Sequence, residues 1–347
     1  MVERNIIGIG GSAGGLAAIS RILQGLPADT ATAVLVTVHM PAHGPRYLAG
    51  ALARASALPV EEAQDGAEIR PGRVYAAVPD RHLLAEGGRL RLAPGPRENM
   101  ARPAIDPMLR SLALDYGSRA IGVIVSGLLD DGASGLCSVK ACGGLAVVQS
   151  PEDAEAPDMP RAALRAAEPD QVLSAAEIGG LLARMTGTAA APTPPCPAAV
   201  RVEVEIALGR RLGADALREH AHPAAFTCPN CHGVLSELEN VRPMRFRCQT
   251  GHAITAATLD ATQENAVEDA LRVALRVMQE RRALVERLAR EARETGRQGA
   301  AELYAERERE YARNVATLRV AVEASLDAAA NDDERRARAD REEGEIG

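Results

Sequence analysis

Between residues 5 and 185, short runs of branched apolar residues (6–9, 34–38, 74–78, 121–125 and 145–148) alternate with amphipathic segments near 15–25, 45–56, 105–116, 133–142 and 175–185. A strand apolar at every position must be covered on both faces, and helices with one apolar stripe supply that cover. The alternation therefore predicts an α/β fold, a doubly wound, mostly parallel sheet with helices on both sides. Residues 82–93, with Gly87-Gly88 at their centre, predict a hairpin instead. At 347 residues the chain is too long for one core of ordinary size, so further units are expected after this one.

Pro192, Pro194, Pro195 and Pro197 sit among Ala and Thr, a composition that cannot continue a helix. The organisation expected is an α/β domain over 1–186, a linker over 187–209 and a Cys/His module over 210–256, followed by a helical hairpin over 257–328 and a charged, disordered tail over 329–347. A linker of this kind predicts a module that folds independently of the first domain. In the hairpin, Gly296 and Gly299 mark the bend, and Tyr304, Tyr311, Val315, Leu318, Val322 and Leu326 make one apolar stripe. Leu271, Ala274, Leu275, Met278, Leu284 and Leu288 are expected to face it from the other arm.

Composition excludes several classes. With 40 Lys and Arg against 47 Asp and Glu, the net charge of −7 offers no general attraction to nucleic acid or anionic lipid. Two Phe, five Tyr and no Trp leave no stacking platform for single strands. The longest apolar run, 120–129, falls far short of the roughly 20 residues of a spanning helix, and residues 5–19 are too rich in glycine for a signal peptide. A cytoplasmic protein is expected. Six cysteines in a chain of this length do not form a disulfide framework, and Cys137, Cys142 and Cys196 have no partner at ligand spacing.

Gly10-Gly11-Ser12-Ala13-Gly14 follows the first strand and opens a helix, matching the G-x-S-x-G pattern that presents a serine hydroxyl on a sharp turn. The same glycines would also cradle a phosphate at a helix N-terminus. A dinucleotide site wants an acid at the end of the second strand, and Val38-His39-Met40 stands there. Residues just past neighbouring strand ends converge on one crevice, so Ser12, His39 and an acid of Asp130-Asp131-Gly132 are brought to one rim. Taken singly, either Asp could cap the next helix and His39 could be a turn residue.

The chain order Ser, His, Asp differs from the Ser, Asp, His of ordinary α/β-hydrolases. It resembles instead the catalytic domain of the chemotaxis receptor methylesterases, the protein-glutamate methylesterase/deamidase family. The resemblance runs through Ile7-Gly8-Ile9-Gly10-Gly11-Ser12-Ala13-Gly14-Gly15, His39-Met40-Pro41, Asp65-Gly66, Gly72-Arg73-Val74-Tyr75 and Asp80-Arg81-His82. It continues through Arg102-Pro103-Ala104-Ile105-Asp106, Ser126-Gly127-Leu128-Leu129-Asp130-Asp131-Gly132 and the stretch from Gly143-Gly144 to Met159-Pro160. It implies a nucleophile at Ser12, a base at His39 and the supporting acid at Asp131, with Asp130 a bystander. The family commonly has Thr-Gly-Met-Gly where Ser126-Gly127-Leu128-Leu129 stands, so Leu129 takes a glycine's place in the acid loop. Regulated members carry a phosphoacceptor receiver ahead of this domain; here the sequence opens on the catalytic strand, and control through an attached receiver is expected to be absent.

Cys228-Pro229-Asn230-Cys231, sixteen residues, then Cys248 and, after three more, His252 form a second site. A Cys-x2-Cys turn aims two thiolates at one ion and a Cys/His pair completes a tetrahedron, so one structural zinc is expected on Cys228, Cys231, Cys248 and His252. His232 is an alternative ligand that follows Cys231 directly.

The resemblance implies an enzyme, a serine hydrolase that demethylates γ-glutamyl methyl esters of methyl-accepting receptors and also deamidates glutamine, with no cofactor for catalysis. The alternative is a catalytically weak or inactive binding or adaptor protein in a signalling complex. The C-terminal helices are expected to serve a signalling partner or self-association.

Overall fold

The structure, a computed structural model, describes the backbone of residues 3–210 and 221–344 and the side chains of 3–210 and 221–326. Residues 211–220 of the expected metal module, and the last three of the expected tail, lie outside the described residues. The chain begins with β1 (Ile6–Gly11), α1 (Gly15–Gln24), β2 (Ala33–Val38), α2 (Leu48–Ala53), β3 (Val60–Glu62) and β4 (Val74–Ala76), then a hairpin of β5 (His82–Glu86) and β6 (Arg89–Ala93). There follow α3 (Ile105–Tyr116), β7 (Ala120–Ile124), α4 (Ala133–Ala141), β8 (Leu145–Gln149), α5 (Asp158–Ala167), β9 (Gln171–Leu173) and α6 (Ala175–Met185).

Seven of these strands form one parallel sheet in the order β3-β4-β2-β1-β7-β8-β9, and β5 and β6 pair antiparallel beside it. The doubly wound α/β expectation is met, since the two faces bury separate clusters. Leu35, Met108, Leu112 and Leu136 pack on one side, and Ile9, Ile19, Leu23, Val36 and Ile178 on the other. On the first side a Cβ at Gly10 would stand 2.1 Å from Ile105, so glycine lets the start of α3 lie against the end of β1. The short edge strands β3 and β9 and helix α5 escape the sequence reading. Val-Glu-Glu and Gln-Val-Leu carry no periodic signal, and α5 follows a proline within a polar loop.

Residues 198–207, read as linker because of the prolines before them, form helix α7 (Ala198–Ala207), which buries Val200, Glu203, Val204, Ile206 and Ala207. Cys142 at the end of α4 and Cys196 form a disulfide with Cα atoms 4.7 Å apart. A separation of 54 residues carries no spacing motif, so the sequence left both without partners. The antiparallel strands β10 (Ala221–Thr227), β11 (Val234–Leu238), β12 (Arg245–Cys248) and β13 (Ala253–Thr255) make the module. Contrary to the independence expected of it, the module belongs to the same compact unit as the sheet, Met1–Leu259.

What joins them is a buried set of charges that a linear reading cannot see. Arg245 of β12 bonds Glu203 of α7 at 2.7 Å and the Ser134 hydroxyl of α4 at 2.8 Å. Arg247 bonds Glu98 at 3.1 Å and Glu203 at 2.5 Å, and Arg110 of α3 pairs with Glu98. With Asp106 nearby, three guanidinium groups face three carboxylates in a region closed to water, where each charge depends on its partners.

The second unit, Asp260–Gly347, is helical over most of its described residues. Helices α8 (Ala256–Glu294) and α9 (Gln298–Gly344) turn at Gly296, φ +72°, and α9 runs through most of the segment read as a disordered tail. Val285, Ala289 and Ala292 of α8, and Ala301 and Val315 of α9, are buried; Leu284, expected on the facing stripe, is exposed, one residue out of phase with Val285. Arg282 pairs with Glu308 at 2.7 Å, and the Arg281 guanidinium lies 5.3 Å from the Tyr311 ring centre, tying the two arms. No helix among the described residues is long and apolar enough to cross a membrane.

Candidate active site

Strand β1 is central, with β2 on one flank and β7 on the other, so the chain leaves neighbouring strands in opposite directions at this point. Their ends are tied by main-chain bonds: Val125 N–H to the Gly10 carbonyl at 3.0 Å, His39 N–H to that of Gly11 at 3.3 Å, and Ser12 N–H to that of Ser126 at 2.9 Å. Ser12, His39 and the acid loop thus meet at one rim. Gly14 has φ +69° just before α1, where a side chain would also meet the Ser126 hydroxyl and Glu155. The Ser126 hydroxyl donates to the Ala13 carbonyl at 2.7 Å and accepts from Ala156 N–H at 2.8 Å, fixing the serine turn from the neighbouring strand end.

His39 Nε2 lies 2.6 Å from Asp131 Oδ2, which leaves Nδ1 as the free ring nitrogen. Asp131 is 1% exposed and collects four donors: His39 and the Ile105 N–H (2.6 Å) on Oδ2, and the Asn99 amide (3.1 Å) and Asp106 N–H (3.2 Å) on Oδ1. Two of these are the first N–H groups of α3, a helix end that favours a negative charge. Burial alone would push the Asp131 carboxyl up, but the hydrogen bond and charge of His39, with Ile105 and Asn99, hold it down at about 2. Asp106 is pushed up to about 7 by burial and by the charge of Asp131, against the pull of Arg110 and Arg245. It nevertheless accepts from Gly132 N–H at 3.0 Å and Gly135 N–H at 2.6 Å, which braces the loop carrying Asp131.

Asp130 does not touch His39. Its carboxyl, driven up by burial, accepts from the hydroxyls of Thr255 (2.6 Å) and Thr258 (3.0 Å), so it is occupied by the end of β13 and the first turn of the helix that follows, Ala256–Glu294. Leu129 sits at φ +61°, the left-handed conformation that a glycine takes without strain. Sequence reasoning assigned no role to Asn99, Ile105 or Asp106. The only signal was the run Arg102 to Asp106, seen as a motif without a task. His82 also supports α3, its Nδ1 accepting from Ala104 N–H at 3.2 Å while Nε2 donates to the Pro96 carbonyl at 2.9 Å. A cavity of about 390 Å³ bordered by Asn5, Ala33 and Arg119 lies at the other ends of the strands.

Cys228, Cys231, Cys248 and His252 come together with their ligand atoms all within 4.8 Å of one another, and His232 is not among them. Cys231 Sγ is 3.6 Å from Cys248 Sγ, close to the roughly 3.8 Å edge of a tetrahedron with metal–sulfur bonds of about 2.3 Å. Three thiols and an imidazole suit zinc or another thiophilic ion. The Thr250 hydroxyl, absent from the sequence reading, lies 3.3 Å from Cys231 Sγ and 3.1 Å from Cys248 Sγ. Burial pushes the Cys228 thiol up to about 12; it also pushes Cys231 and Cys248 up, but there the hydrogen bonds of Thr250 and of neighbouring groups, His252 among them, together outweigh it and lower both thiols.

The family model described as CheB methylesterase matches residues 7–182, ending before the module. A putative protein-glutamate methylesterase/protein-glutamine glutaminase of Leptospira interrogans is 38% identical over 178 residues, 51% of this chain and 92% of that protein. Protein-glutamate methylesterase/protein-glutamine glutaminase 1 of Paramagnetospirillum magneticum is 41% identical over 179 residues, 50% of this chain and 47% of that protein. The crystal structure of the Thermotoga maritima CheB methylesterase catalytic domain superposes with a TM-score of 0.51 at 34% identity, covering 53% of this chain and 100% of that one. The parallel sheet, the family match over half the chain and the near-complete coverage of the Leptospira relative lead to one assignment: this chain belongs to the CheB methylesterase family.

Proposed function

We propose that the protein is a protein-glutamate methylesterase that also deamidates glutamine, acting on methyl-accepting receptors through Ser12, His39 and Asp131. The observation that carries the reading is the 2.6 Å bond between His39 and a buried, multiply bonded Asp131, made on a rim shared with Ser12. Asp131, kept ionised, orients the imidazole and stabilises its charged form. His39 Nδ1 takes the Ser12 proton as Oγ attacks the ester carbonyl, and returns it to the leaving methoxide, which departs as methanol. Water activated by the same base then releases glutamate and regenerates Ser12. The turn between Ser12 and α1 offers the Ala13 and Gly14 N–H groups to the oxyanion. Leu128 and Leu129, both exposed beside the acid, give the rim an apolar edge for the substrate's backbone helix or strand.

Methylated receptor supplied to the full chain is expected to release methanol. Ser12→Ala and His39→Ala should each abolish release, and Asp131→Asn should lower kcat by about 10^3–10^4-fold through loss of the correct tautomer. Asp130→Asn keeps an acceptor for both threonines and should change the rate by less than about threefold. Loss of activity in Asp130→Asn with retention in Asp131→Asn would reverse the assignment of the acid.

In this reading Cys228, Cys231, Cys248 and His252 hold one structural zinc, which metal analysis of purified protein should find at one per chain. Val273, Val277 and Leu284 lie exposed along α8 and favour self-association through the helices. Light scattering of the chain with and without residues 260–347 tests it: an unchanged protomer number removes that role.

A further inference from the structure

Asn99 and Met100 adopt successive left-handed conformations, φ +48° and +62°, in a turn closed by bonds between Glu98 and Ala101. Asparagine tolerates this region, but methionine has no local means of doing so, and its surroundings must hold it there. Those surroundings are the Cys/His module. Met100 packs on the cluster of Cys228, Phe246, Cys248, Ile254 and Leu259, and the Asn230 amide lies 3.2 Å from its sulfur. Ala253 pairs with the same segment, its carbonyl accepting from Asn99 N–H at 2.9 Å and its N–H donating to the Arg97 carbonyl at 3.2 Å.

The Asn99 side chain carries this hold to the acid. Its Oδ1 accepts from Thr255 N–H at 3.0 Å, which fixes the direction of Nδ2 toward Asp131 Oδ1 at 3.1 Å and Asp106 Oδ2 at 3.3 Å. Thr255 also grips Asp130, the neighbour of Asp131, through its hydroxyl. The strand that bonds Asn99 and Asp130, β13, begins one residue after His252, and its partner β12 ends on Cys248. Two of the four metal-ligating side chains therefore border the strands that hold the acid loop, in a part of the chain beyond residues 7–182 of the family match.

We propose that the Cys/His module is a positioning device for the hydrolytic site. With zinc on Cys228, Cys231, Cys248 and His252, β13 holds Asn99 and Asp130 and so sets Asp131 against His39, making the rate of ester hydrolysis depend on metal occupancy. Asn99 is the positioning residue through which most of the coupling passes. The inference rests on the hydrolase reading of Ser12, His39 and Asp131.

The test uses the full chain, loaded with zinc, stripped with a chelator, and restored with zinc ion alone. kcat and KM are measured on p-nitrophenyl acetate, and Ser12 labelling by a fluorophosphonate is timed in parallel. Stripping should lower kcat and the labelling rate at least tenfold with KM within about twofold, and zinc alone should restore both. Zinc-loaded Asn99→Ala should lose kcat by a similar factor while binding one zinc, and stripping it should cost less than threefold more, because the two changes interrupt one path. If the loaded wild type neither hydrolyses the ester nor labels, the hydrolase reading itself fails. If it does both and stripping or Asn99→Ala leaves kcat unchanged, or if the chain binds no zinc, the positioning role alone is overturned. Should stripping unfold the chain by circular dichroism, the zinc-loaded Asn99→Ala protein decides between these outcomes.

Discussion

Asp131 and Asp106 show how neighbouring carboxylates acquire opposite properties from their partners. Asp131 is held down at about 2 against its own burial by His39 and the donors around it, whereas burial and that adjacent charge push Asp106 up to about 7. A raised carboxyl contributes stability that is complete below its unfolded pKa near 4 and is lost as pH rises through its folded value. Asp106→Asn removes that dependence while keeping an acceptor for Gly132 and Gly135. The difference in unfolding temperature, variant minus wild type, should therefore become more positive between pH 5 and pH 8, and a difference that is flat or falling over this range would show Asp106 to be ionised throughout. His39 and Ser12 were legible in the sequence because strand-end turns announce themselves through glycine and apolar runs. Asn99 was not, because its significance lies in contacts with residues 131 and 255 that no local pattern encodes.

At the scale of elements, the acid loop between β7 and α4 holds Leu129 at φ +61°. An L residue in the left-handed region costs about 1–2 kcal/mol, and glycine there avoids the cost while adding some freedom to the unfolded chain. Leu129→Gly should therefore raise stability by up to about 1 kcal/mol, seen as a higher denaturant midpoint with an unchanged slope. A lower midpoint would mean that the half-exposed leucine makes contacts worth more than its strain. Helix α3 has a double task. Its N-terminal N–H groups receive Asp131, and its next turn supplies Arg110 to the buried charges. Its apolar periodicity foretold the helix at 105–116, but not that its first turn would form the floor of the site.

For the whole molecule, the decisive feature is that the module and α7 close over the sheet domain through Glu98, Glu203, Arg110, Arg245 and Arg247. Glu203→Gln leaves three buried guanidinium groups short of a counter-charge and should destabilise the chain by about 3–5 kcal/mol at pH 7. Glu203 has a depressed folded pKa, so its contribution is present above the ordinary carboxylate range and lost as pH falls well below it. The gap between variant and wild type, measured by thermal unfolding, should accordingly narrow below about pH 4. A gap under about 1 kcal/mol at pH 7 would mean that water reaches the cluster and screens it.

The sequence by itself pointed to the parallel α/β sheet, the hairpin at 82–93, the helical pair, the meeting of Ser12, His39 and one of Asp130 and Asp131 at strand ends, and the clustering of Cys228, Cys231, Cys248 and His252; the choice of Asp131 over Asp130 came from the family resemblance. Apart from that choice, each of these follows from unbroken apolar runs, from a period of 3.6, from glycine at a turn, or from short Cys/His spacings, all of which are local properties. Only the tertiary structure decided that Cys142 pairs with Cys196, that residues 198–207 form a helix, and that the module lies against the acid loop. Prolines at 192–197 read as separation because local composition carries no term for what the chain does after the turn. Docking is set by charges on Glu98, Glu203, Arg245 and Arg247, which resemble surface residues along the chain and become interior ones only when all are brought together.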